Sequence, residues 1–180
     1  MTFLAFSNYE HSQQGLSKYK ENILTVGYWN NQKTEILKMG ANKIFSWSVV
    51  EPDFKFNPSY SIRSHSFVTV ESSYLNEEYV LLIGGHDGFS NRMKTVFKFN
   101  GTWFPFGQLN KPRHNHNSIY WNEAVYVIGG DDYNDDTTKI EIWNIKNSPE
   151  QFKTKENWPE LYNWFYPHLF IVPDSFFPDY

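Results

Sequence analysis

Between residues 64 and 107 four short segments follow one another, each with its own pattern of apolar and polar positions. SHSFVTVE at 64–71 alternates, EYVLLIGG at 78–85 is a continuous apolar run into two glycines, and KTVFKFN at 94–100 alternates again. GTWFPFG at 101–107 is bounded by glycines and contains a proline. Alternation predicts a strand with one face buried, and a short continuous run fits a strand buried on both. Strands of this length, separated by turn residues, predict a four-stranded antiparallel unit. No segment sustains an apolar spacing of 3.6 over the ~10 residues that a helix needs. The charged stretch from Glu150 to Glu160 has room for one helical turn, and Pro149 and Pro159 bracket it. The expected class is all-β.

The unit recurs. VYVIGG at 125–130 repeats the apolar run and the double glycine, so Gly84 and Gly85 return 45 residues on as Gly129 and Gly130. A weaker copy, ILTVGYWNN at 23–31, has Gly27 with Tyr28 in the second glycine's place. A tryptophan follows each copy, at Trp47, Trp103 and Trp158. Two copies are followed by an arginine with histidine and serine close behind, in RSHSF at 63–67 and RHNHNSI at 113–119. Landmarks recurring in one order with a period near 50 mark a repeat architecture.

VLLIGG, the spaced aromatics of VFKF, Trp103 after a turn, then KPR and a histidine-serine together resemble the kelch repeat. The third unit, VYVIGG…IEIWN…Trp158, is similar, and the first is degenerate. The resemblance implies β-propeller blades, each a twisted four-stranded antiparallel sheet, with the apolar run as the second strand and the tryptophan packed on the outer strand. It places blades near 1–52, 61–109 and 112–161, with FYPHLFIV at 165–172 as the first strand of a further blade and PDSFFPDY as a tail. Propellers of this family have about six blades, so three make an incomplete one. A fragment, a truncated gene product and a half that pairs with another chain are all open. Uncovered blade faces would be broad apolar surfaces, and self-association through them is one expectation.

The resemblance also implies a binding module that grips a protein segment on its loop rim. The loops after the glycines supply Tyr28, Trp29 and Asn30; His86, Asp87 and Phe89; and Asp131, Asp132 and Tyr133. The loops leading into the next blade add Ser64, His65, His114 and Asn115. Loops on a rigid scaffold concentrate function, and aromatic anchors beside polar groups suit a partner. Turn chemistry alone also accounts for Gly, Asn, Asp and Ser at such places. The aspartates favour a partner with a basic segment. Many kelch proteins join such a propeller to a BTB or F-box region and present substrates for ubiquitination, a role these residues could serve only as part of a longer chain.

Composition narrows the rest. The net charge is −4, with 16 Lys and Arg against 20 Asp and Glu and no basic run, which argues against a nucleic-acid binder. No apolar stretch is long enough for a membrane span, and the start, MTFLAFSNYEHS, lacks the basic region of a signal peptide. There is no cysteine, hence no disulfide, thiol nucleophile or cysteine metal site, and a cytoplasmic location is expected. Galactose oxidase, which shares the repeat, needs a cysteine-linked tyrosine at its copper. No nucleophile elbow, P-loop or dinucleotide fingerprint is present, so no catalytic residue and no cofactor is assigned. An enzyme of another kind on the scaffold, such as a glycan-acting one, stays the alternative. DDYNDD at 131–136 has the alternate spacing of a calcium loop, but Thr137 and Trp143 stand where glycine and glutamate are needed. His114 and His116 have strand spacing for one face, yet no third ligand follows. No metal site is expected.

Overall fold

A computed structural model of the chain describes residues 7–11, 15–28, 31–40, 45–51, 56, 61–87, 91–131, 140–146 and 152–155. Among them there is no helix, and twelve strands form three four-stranded sheets. The first sheet runs β1 (Leu16–Tyr19), β2 (Asn22–Tyr28), β3 (Asn31–Met39), β4 (Phe45–Val49). The second runs β5 (Ser66–Ser72), β6 (Glu77–Ile83), β7 (Thr95–Phe99), β8 (Trp103–Gln108), and the third β9 (His114–Trp121), β10 (Ala124–Asp131), β11 (Ile140–Asn144), β12 (Lys153–Lys155). In each sheet every strand pairs antiparallel with the next in sequence. The two apolar runs, in β6 and β10, are the second strands of different sheets. No helix among the described residues is long and apolar enough to cross a membrane.

The continuous run in β6 is explained by what lies on either side. Successive strand residues point to opposite faces, so Tyr79, Leu81 and Ile83 enter one apolar cluster with Val125, Val127 and Trp143 of the third sheet. Val80 and Leu82 enter the other, with Leu24 and Val26 of the first sheet. All five β6 side chains are fully buried, each worth about 1.5–3 kcal/mol relative to exposure. A polar residue at any of them would meet a neighbouring sheet rather than water.

The register aligns the sheets residue for residue. Leu37 pairs with Trp47 and Phe99 with Trp103. Trp103 is buried, and its indole N–H donates to Thr34 Oγ1 of the first sheet at 2.8 Å. In the third sheet Ile142 pairs with Lys153, which sets Phe152 opposite Trp143, with ring centroids 6.3 Å apart. Phe152, not Trp158, therefore holds the position of Trp103. Trp158 lies outside the described residues.

A second alignment also shifts. His116 pairs with Gly129 and His114 with Asp131, while Arg63 bridges His86 just beyond the second sheet's double glycine. Arg63 thus matches His114 and His65 matches His116, so Arg113 corresponds to Ile62 rather than to Arg63. Arg113 Nε donates to Glu141 at 3.2 Å, and both are buried. Ile62 and Phe97, also buried, occupy the same two places in the second sheet. His11 and Glu35, 2.7 Å apart, occupy them in the first.

Adjacent sheets are also tied at the hairpin turns opposite the glycines. Glu123 sits at φ +57 in the two-residue turn before β10, a conformation that favours Asn or Gly. Its carboxylate accepts from Ser72 Oγ (2.6 Å), Ser73 N (2.9 Å), Ser73 Oγ (2.7 Å) and Tyr74 N (3.3 Å), all in the second sheet's turn. Those bonds, led by Ser72 and Ser73, hold its pKa down to about 2. Glu78, at the same register near the start of β6, accepts the Lys20 backbone N–H of the first sheet's turn.

Candidate functional site

The apolar strands end at glycine because another segment crosses there. Gly84 and Gly85 have φ of +56° and +102°, where side chains are strained. A Cβ on Gly84 would stand 2.7 Å from the Arg113 carbonyl oxygen, and one on Gly85 2.8 Å from that of Arg63. The Gly85 N–H donates to the Arg113 carbonyl at 2.8 Å. The loop after one sheet's second strand is thereby pinned against the segments entering two first strands. That local requirement gathers the polar residues beyond the glycines.

His86 exchanges backbone hydrogen bonds with Arg63, at 2.8 and 3.2 Å, and bridges Arg92 on its other side. Arg92 Nε donates to His114 Nδ1 at 2.9 Å, and its Nη2 pairs with the Asp131 carboxylate. His114 Nδ1 also lies 3.2 Å from the Asp131 carbonyl oxygen, so it either accepts from Arg92 or donates to that carbonyl, according to the tautomer. The His86 and His114 rings lie 5.6 Å apart. Asp87 closes its own loop, accepting from Asn91 N (3.1 Å) and Asn91 Nδ2 (2.7 Å).

Burial, and then the nearby arginines, lower the pKa of both His86 and His114, although Asp131 pulls His114 the other way. Both rings are thus neutral at pH 7 and can both donate and accept. The site combines two guanidinium groups, two carboxylates and two neutral imidazoles on partly accessible residues, with the Arg92 side chain itself only 5% exposed. Among the described residues no group of His, Asp and Glu could hold a metal ion.

Of the residues singled out from sequence, His86, Asp87, His114 and Asp131 come together here. Ser64 and Asn115 occupy one register position in adjacent sheets, at φ +53° and +55°, and the Asn115 N–H donates to the Ser64 carbonyl at 2.9 Å. His65 is fully buried and presents no surface. Tyr28 ends β2, while Trp29, Asn30, Phe89, Asp132 and Tyr133 lie outside the described residues. Sequence reasoning missed Arg63 and Arg92. The signal was present: arginines in loops flanking the double glycine, a residue type enriched in binding hot spots.

Residues 112–148, which contain β9, β10 and β11, match the family model for the Kelch motif. No curated protein matches the chain.

Proposed function

We propose that this chain, in which residues 112–148 match the Kelch motif and three four-stranded sheets fit propeller blades, holds a segment of a partner protein on its rim of post-glycine loops. The observation that carries this reading is the Arg63–His86–Arg92–His114–Asp131 cluster. It draws on two blades and leaves Arg63, His86, His114 and Asp131 partly accessible around a buried Arg92 side chain. Asp131, with the aspartates that follow at 132, 135 and 136, favours a partner segment carrying Lys or Arg, which would compete with Arg92 for the Asp131 carboxylate.

The test is a selection of binders from a random peptide library on the folded chain, followed by affinity measurements on His86→Ala and Asp131→Asn. Selected peptides should be enriched in Lys and Arg, bind at least about tenfold more weakly to each variant, and weaken as salt rises. Unchanged affinity in both variants, with circular dichroism intact, would remove this rim as the site. Peptides without basic enrichment would refute the charge argument alone.

A further inference from the structure

The hairpin between β7 and β8 turns through Asn100, Gly101 and Thr102, all exposed. Asn100-Gly101 is the one Asn-Gly pair in the chain. Asparagine is thermolabile, and most so before glycine. There no side chain shields the next backbone nitrogen, and the backbone reaches angles closed to other residues. Whether a fold permits the reaction depends on how firmly it holds the carboxamide and the turn around it.

Here the hold is weak. Asn100 Nδ2 lies 3.5 Å from Glu77 Oε1, at the outer limit of a hydrogen bond. The Asn100 N–H donates across the turn to the Thr102 carbonyl at a long 3.3 Å. Gly101 sits at φ +114°, and nothing lies within 4 Å of the place its Cβ would take, so water has access to the turn.

We propose that Asn100 converts in the folded chain to aspartate and isoaspartate by ring closure onto Gly101. The Gly101 nitrogen gives up its proton and attacks Asn100 Cγ. The new C–N bond closes a succinimide, while the side-chain nitrogen takes up a proton and leaves as ammonia. Water then opens the ring. Opening at Cγ gives aspartate, and opening at the main-chain carbonyl carbon gives isoaspartate, with the chain continuing through Cγ. Either product sets a carboxylate beside Glu77, whose Oε2 accepts from Lys98 Nζ at 2.8 Å. Lys98 in turn lies over the ring of the fully buried Tyr79, 3.9 Å from its centroid. The modification therefore acts on a cation that covers the core between the second and third blades.

The test is to age the folded full chain at mildly alkaline pH, map its peptides by mass and detect isoaspartate by enzymatic methylation. The peptide with Asn100 should exchange NH2 for OH, faster as pH rises, while Asn117, paired with Ile128 inside β9, should stay intact. Gly101→Ala and Asn100→Gln should each slow the exchange at least roughly tenfold, the first by shielding the nitrogen and the second by demanding a larger ring. Asn100→Asp, which installs one product directly, should lower the urea midpoint, and less so in a Glu77→Gln background. A folded chain that stays unconverted where the urea-unfolded chain converts overturns the proposal. So does undiminished conversion in Gly101→Ala. An Asn100→Asp midpoint equal to the parent's overturns the link to Glu77 and Lys98.

Discussion

Glu141→Leu should cost the chain about 3–5 kcal/mol, and adding Arg113→Met should return most of that. Arg113 is 1% exposed and Glu141 0%, so both charges have left water and each depends on the other. Removing one partner of such a pair leaves an uncompensated buried charge, which accounts for the 3–5 kcal/mol. The carboxylate also accepts from the Asn110 backbone N–H at 2.6 Å and from that of Lys111 at 3.3 Å, and loss of this acceptor falls within the same range. Arg113 Nη1 keeps its bond to the Gly129 carbonyl at 3.1 Å, which is too little to replace a counter-charge. Replacing both charges is different, because a buried pair exchanged for apolar residues of similar volume is often neutral. The chain contains its own precedent, since Ile62 and Phe97 fill the equivalent places one blade earlier. The double variant should therefore lie within about 2 kcal/mol of the parent, with a coupling energy of at least about 2 kcal/mol. Urea unfolding at pH 7, read at equal m-value, measures all four corners of the cycle. A single-variant cost under about 1 kcal/mol would mean that the pair is solvated. A double variant as costly as the two singles summed would mean that the two residues act independently.

Acid should weaken the fold through His65 and His116. Both rings are fully buried, neither nitrogen of either ring has a hydrogen-bond partner among the described residues, and burial pushes each pKa down to about 3. At His116 the nearby Arg113 opposes protonation further, while the Ile83 backbone pulls the other way. The unfolded chain takes up these protons first, so stability is complete above about pH 6.5 and is lost as pH falls toward 3, by about 1.4 kcal/mol per unit for each ring. Urea midpoints from pH 7.5 to 4 should show this decline, and His65→Phe should flatten it; an unchanged slope would implicate other groups. Gly85→Ala should destabilise more than Gly101→Ala. Both add strain at positive φ, roughly 1–2 kcal/mol, but only Gly85 faces the Arg63 carbonyl and His65, whereas nothing lies within 4 Å of the Cβ site at Gly101. Equal melting temperatures for the two variants would contradict this.

The strands and their grouping into blades were legible because burial on two faces and burial on one leave different patterns, as in β6 and β7. The double glycine was legible because its backbone cannot be replaced. The buried carboxylates were not. Glu35 in TEILK and Glu141 in IEIWN sit among apolar neighbours where alternation assigns a charged residue to solvent, yet both are fully buried. What buries them is a loop arriving from far along the chain, bringing Asn8 and His11 to one and Asn110 and Arg113 to the other. Unequal loop lengths also hid their shared register, eight residues past Gly27 and twelve past Gly129. The same blindness put Arg113 level with Arg63, because a matching letter outweighed a position set by hydrogen bonding. Phe152 escaped notice because an aromatic of a different kind does the tryptophan's work. At the rim, residue types in loops were visible, but the bonds that turn Arg92 into its centre were not.

The strictly sequential strand order governs how the chain comes to be folded. Each sheet needs only a contiguous stretch of polypeptide, so its pairings close short loops and its assembly should be fast for a β protein. A blade can form as soon as its four strands have left the ribosome. Strand β6 is the exception in timing, since one of its faces is finished by the blade before it and the other by the blade after. Its amide protons should be the slowest in the chain to exchange, reporting the global opening, while those of β1 and β12 report local fraying. A chain stopped after β8 would leave Tyr79, Leu81 and Ile83 bare, and the half-made product would be held in solution only by whatever shielded that face until β10 arrived.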